Sequence, residues 1–284
     1  MKIKSRIYLG LCLIFVVVIP TAANSIERFD ESVNHAPPFQ IYQNDTQLRE
    51  LLPAKGGSSL CWPSSVAHRM YYFQKYRHPA LSNFSLPTTS GRLDLAEAVK
   101  IFVRLCHTST SGGTPQSAKI PCIIRYFQEN GYHPIAFAVG KSATGVAAST
   151  GAHNELRPVQ ISDLRKYIAL DYGVILHVGW LKFDPRRKSW VESGSHSLNA
   201  YGYDYDKKWG DERIILKVSN PAINYSARAE SVFFDAITVS ALNREPGIAY
   251  PPMVSLSISG PGFDKPGRLA VINDLFVFSP DHAF

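Results

Sequence analysis

The chain has 284 residues, a formal net charge of +7, 45% hydrophobic and 19% charged residues. That composition excludes a disordered or low-complexity protein and is compatible with a sizeable core. No Lys/Arg run or repeated basic-aromatic pattern marks a nucleic-acid surface, so no nucleic-acid partner is expected.

The first 23 residues read as an export signal. Lys2, Lys4 and Arg6 precede an apolar run from Tyr8 to Ile19, followed by Pro20, Thr21, Ala22 and Ala23. The run is shorter than the roughly 20 residues needed to cross a bilayer, which favours a cleavable signal over a membrane anchor. Cleavage after Ala23 would leave 261 residues and remove three positive charges, lowering the net charge to +4. The expected location is secreted or periplasmic, with no stable membrane anchor after cleavage.

Residues 24–55 form a polar approach segment without a strong period. Helical spacing begins at Cys61, with Trp62, Val66, Met70 and Phe73 three to four residues apart and Pro63 suited to a first turn. A second helix is expected from about Asp94 to Leu105. A third runs from about Pro121 to Asn130 and stops at Gly131, and a fourth spans 162–170 with Ser162 as its N-cap. From Gly173 the pattern changes to strands, at 173–183, 188–193, 196–204, 213–219, 231–239, 253–259 and 269–278. A helical stretch of about 56–170 followed by a β stretch of about 171–284 predicts an α+β fold with a site in the cleft between them.

Cys61, Cys106 and Cys122 remain after the signal, and Cys12 is discarded with it. Cys106 and Cys122 flank a short loop and are the natural disulfide pair in an oxidising compartment; the alternative is two buried reduced thiols. A zinc site from Cys106, His107, Cys122 and His133 fits none of the paired spacings of structural zinc, so neither a metal nor a cofactor is expected. Cys61 is the thiol left over.

Three segments carry possible chemistry. Gly56-Gly-Ser-Ser-Leu-Cys61-Trp-Pro delivers a cysteine to a helix start, where the helix dipole favours thiolate. Ser193-Gly-Ser-His196-Ser-Leu-Asn-Ala-Tyr-Gly-Tyr-Asp204 places a histidine at a strand start. Lys217-Val-Ser-Asn220-Pro-Ala ends a strand at an amide able to accept from the imidazole Nδ1–H, which would leave Nε2 facing sulfur.

In this order, with His196 135 residues after Cys61, the three segments resemble the papain-like cysteine peptidases, in which a Cys-Trp context precedes His and Asn by a similar interval. The stretch ending in Gly-Tyr-Asp resembles the bacterial C39-like branch most. The resemblance covers about 55–222 and implies a two-lobe fold, helical then β, within 24–284. It further implies a secreted peptidase acting on protein or peptide substrates at peptide or isopeptide bonds. Cys61, His196 and Asn220 would form the triad, with Trp62 beside it. Papain relatives place a Gln a few residues before the cysteine; here Lys55 stands six before it, leaving Lys55, Ser58 and Ser59 as candidates for the second oxyanion donor. The same residues would serve an acyltransferase, and a catalytically degenerate binding protein on the same fold is the reading from a different class.

Overall fold

The computed structural model describes residues 29–36, 41–49, 57–79, 81, 92–109, 112–223 and 235–281; the expected export signal and Lys55 lie outside them. Five α-helices and eight β-strands are described: β1 (Glu31–Asn34), α1 (Thr46–Arg49), α2 (Cys61–Tyr76), α3 (Arg92–Leu105), α4 (Gln116–Glu129), β2 (Ile135–Gly140), α5 (Ile161–Ala169), β3 (Gly173–Asp184), β4 (Ser189–Tyr205), β5 (Arg213–Ser219), β6 (Asp235–Ala241), β7 (Leu256–Ser259) and β8 (Arg268–Ser279). All ladders between them are antiparallel, so the fold is α+β.

The sheet closes on itself. β3 pairs with β4, β4 with β5, β5 with β6, β6 with β7, β7 with β8, and β8 returns to β3. Alternate apolar residues of these six strands, among them Val174, Leu176, Leu198, Leu216, Val239 and Val277, form one buried cluster with α5 residues Leu164 and Ile168. That is the inside of the ring, as period-2 patterning requires. The opposite side chains of β3 and β8, Ile175, Phe276 and Phe278, pack instead with α2, α3 and α4 in a second core. The helical layer therefore lies against the outer face of the ring. A disulfide between Cys106 and Cys122 ties the end of α3 to α4, with Cα atoms 5.0 Å apart.

Several expectations are corrected. The third helix begins at Gln116 rather than Pro121, which sits inside it. Pro121 is in the second turn, so it forfeits the bond to the Ser117 carbonyl and its ring crowds that carbonyl, while Pro115 holds extended geometry before the helix. The fourth begins one residue early, and Ser162 is not its cap; the Asp163 carboxylate accepts from the Gln160 N–H at 2.9 Å and is itself held by Arg157. Strands expected at 188–193 and 196–204 are one long β4, because a bulge opposite Trp180 and Leu181 absorbs the Ser193-Gly194 break. β1 comes from the polar approach segment and β2 from a stretch to which the sequence pattern assigns no element, yet both join the sheet.

β1 also accounts for much of the Gly-Tyr-Asp motif. A Cβ on Gly202 would lie 2.4 Å from the Val33 carbonyl oxygen, so β1 approaches β4 only because no side chain stands there. Asp204 accepts from Ser32 Oγ and from Lys217 Nζ at 2.8 Å. These two residues build a strand edge.

Candidate active site around Cys61

Cys61 opens α2, directly after a 3₁₀ turn at Gly57–Leu60. The helix is buried along nearly its whole length and is fixed by polar contacts on two sides. Arg69 donates to the Asp171 carboxylate at 2.7 Å and to the Tyr172 carbonyl at 2.9 Å. Ser65, one turn beyond Cys61, donates to the Ser197 carbonyl at 2.9 Å. That bond locks the start of α2 against β4 beside His196, so the Cys–His pair inherits its geometry from helix and strand rather than from loops.

His196 lies beside Cys61, close enough to lower the thiol's pKa, and its Nε2 lies 2.8 Å from Asn220 Oδ1. The three residues expected to meet therefore do. The ring orientation is the reverse of that expected: Nε2–H donates to Asn220, leaving Nδ1 for the sulfur. Asn220 Oδ1 also accepts from the Ala222 N–H at 3.0 Å, which fixes the amide in the turn after β5.

Burial opposes ionisation of Cys61, but its hydrogen bond to His196 and that ring's charge outweigh it. Lys119 and the Ser197 backbone add to the effect, bringing the pKa down to about 7. Burial likewise disfavours imidazolium at His196, yet the thiolate and Asn220 raise its pKa above the ordinary value. The two shifts are a single coupled event, the formation of a thiolate–imidazolium pair. Cys61 is the free cysteine among the described residues.

A cavity of about 360 Å³ opens beside the sulfur, lined by Ser59, Trp62, Gly113, Gln116, Lys119 and His177 among others. Trp62 packs edge-on against Phe276, with ring centroids 4.9 Å apart, so it serves core and cavity together. Of the oxyanion candidates Ser59 lines the cavity; the Ser58 side chain lies outside the described residues, as does Lys55.

The far wall of the cavity is formed by residues that no sequence motif marks. His177 on β3 donates from Nδ1 to Asp274 Oδ2 on β8 at 2.8 Å. Asp274 also accepts from the Ser142 N–H at 2.7 Å, Ser142 Oγ at 3.0 Å and Gln116 Nε2 at 3.3 Å. Despite burial, His177 and the Ser142 donors hold its carboxyl below the usual range. His177 is pushed the other way, below the ordinary imidazole value, by burial and by the charge of Lys119, which outweigh Asp274. A signal existed: an aspartate inside the apolar run 269–278 has to find buried partners.

No protein-family model matches the chain, and no curated protein matches it in sequence. Cys106 and Cys122 are joined to each other and are not available as metal ligands.

Proposed function

We propose that the chain is an exported cysteine hydrolase of the papain-like kind, cleaving peptide or isopeptide bonds at Cys61. The observation that carries the reading is a free thiol at a helix start beside a histidine that an asparagine orients at 2.8 Å, an environment that lowers the thiol pKa to about 7. The helical core against the outer face of the β ring, with Cys61 at their junction, supports a two-lobe arrangement of that kind. The disulfide and the basic, apolar N-terminus support export.

In this mechanism the Cys61 thiolate adds to the scissile carbonyl carbon, forming the C–S bond and moving the π electrons onto oxygen. The oxyanion sits near the start of α2, where the Cys61 N–H and Ser59 are the donors at hand. His196 gives its proton to the leaving nitrogen as the C–N bond breaks. It then takes a proton from water, which attacks the thioester and returns the thiolate. Asn220 holds the Nε2–H, so Nδ1 exchanges the proton throughout.

The test compares wild type with Cys61→Ala for hydrolysis of a peptide library and for thiol alkylation. Hydrolysis and rapid alkylation should both vanish in the variant. Cleavage surviving the substitution, or a folded wild type whose Cys61 alkylates no faster than a free thiol, would exclude the reading.

A further inference from the structure

One group in the cavity favours the Cys61 thiolate by its charge but has no further task in that cycle. Lys119 lies near the start of α4, is 4% exposed, and holds its ammonium 5.0 Å from the ring centroids of both Trp62 and Phe276. Among the described residues no carboxylate and no hydrogen-bond acceptor meets its Nζ. Burial pushes its pKa down to about 8, while the charges of Cys61 and Asp274 pull it back and that of Lys141 lowers it further. At neutral pH it remains a cation.

A buried cation that does not touch a counterion is costly to keep. Asp274 is near, but its oxygens already receive His177, Ser142 and Gln116. The Cys61 thiolate is near too, but its charge disappears whenever the sulfur is acylated. None of the described residues lining the cavity is acidic. The missing partner is an anion that arrives with the substrate.

We propose that this cavity is a carboxylate-recognition subsite, in which Lys119 selects substrates bearing a carboxylate beside the scissile bond. The carboxylate is either an acidic side chain or a free chain terminus; both offer the same chemistry to the ammonium. The aromatic faces of Trp62 and Phe276 hold the ammonium in place, and the cavity volume admits one small side chain or terminus. For cleavage this rests on the hydrolase reading; for anion binding beside Cys61 it does not.

The first experiment needs no substrate. Cys61 is alkylated with iodoacetate and with iodoacetamide near pH 7, below the pKa of Lys119, at low ionic strength. The measured quantity is the ratio of the two rates. The ratio falls about 10-fold in Lys119→Met and stays within about 2-fold of wild type in Lys119→Arg, because the reagents differ mainly in charge. An unchanged ratio in a folded Lys119→Met, or in Lys119→Gln if the first does not fold, overturns the proposal.

The second experiment offers peptides paired as Glu or Gln beside the bond and as free acid or amide at the terminus. One carboxylate-bearing arm is cleaved at least about 10-fold faster by wild type, and Lys119→Met loses that preference. Equal cleavage of acidic and neutral arms overturns the assignment. If no arm is cleaved while the iodoacetate preference still depends on Lys119, the hydrolase reading falls and the anion subsite stands.

Discussion

His177 and His196 stand on neighbouring strands, paired with Ser197 and Val178, and the protein drives them in opposite directions. Burial disfavours imidazolium at both. At His196 a thiolate and an amide oxygen overcome burial, and the pKa rises. At His177 the Lys119 ammonium reinforces burial, and even a hydrogen-bonded carboxylate does not restore the ordinary value. A His–Asp contact is thus no guarantee of a charged histidine; the charge facing the ring decides. On one side of Cys61 the surroundings favour a protonated ring, and on the other a neutral ring beside a buried cation.

The sharpest way to break this comparison is to remove each histidine in turn. With Cys61 acting as the proposed hydrolase, His196→Ala lowers kcat/KM by roughly 10²- to 10⁴-fold, the range expected for loss of the acid–base group. Thiolate is the reactive species, so wild-type alkylation rises as pH passes upward through about 7. In His196→Ala that midpoint moves to or above the ordinary thiol value of about 8.5, because burial is then opposed mainly by Lys119. His177→Ala leaves the midpoint near 7. If His177→Ala shifts it as far as His196→Ala does, the two sides are not distinct.

Asp274→Ala tests the opposite wall. The substitution strands the His177, Ser142 and Gln116 donors in a buried site and should cost about 3–5 kcal/mol in urea unfolding. The alkylation midpoint should move far less than in His196→Ala, since Asp274 is not among the groups that set the Cys61 pKa.

Opening the disulfide acts on the same wall from further away. Cys106→Ala with Cys122→Ala should destabilise by about 3 kcal/mol, as expected for a closed loop of this length. The bridge anchors α4, which carries Gln116 and Lys119, so the iodoacetate preference should weaken before the His196-dependent midpoint moves. The reverse order would mean that the bridge supports α2 instead.

These two walls were not equally legible in the sequence. Cys61, His196 and Asn220 each sit where a local pattern changes: a turn into a helix, a Gly-Ser break before a strand, a strand into Pro. The wall of Lys119, His177 and Asp274 offered no such mark. A helix starting at Pro121 leaves Lys119 outside it, and His177 carries no mark beyond its place in the strand at 173–183. Its meeting with Asp274, 97 residues away, depends on the β3–β8 ladder, and no local spacing encodes that register. The closure of the ring was hidden for the same reason. Likewise, the residue types predict a Cys–His–Asn contact, but the nitrogen expected at the amide, Nδ1, is the wrong one; the angle at which β4 presents the imidazole puts Nε2 there.

That ring orientation supports the mildest prediction. Asn220 Oδ1 accepts from His196 Nε2 and from the Ala222 N–H, so it ties the imidazole to the turn after β5. Asn220→Ala removes one hydrogen bond to a group that is charged in the resting pair, which corresponds to roughly a 10- to 100-fold loss in kcat/KM. The pKa of His196 falls with the loss of that acceptor, so the alkylation midpoint of Cys61 shifts upward, by less than in His196→Ala. Asn220→Asp separates orientation from charge: the carboxylate keeps the acceptor and further favours imidazolium. It should recover most of the Cys61 reactivity lost in Asn220→Ala. If Asp and Ala behave alike, Asn220 serves the turn rather than the ring, and orientation of His196 belongs to β4 alone.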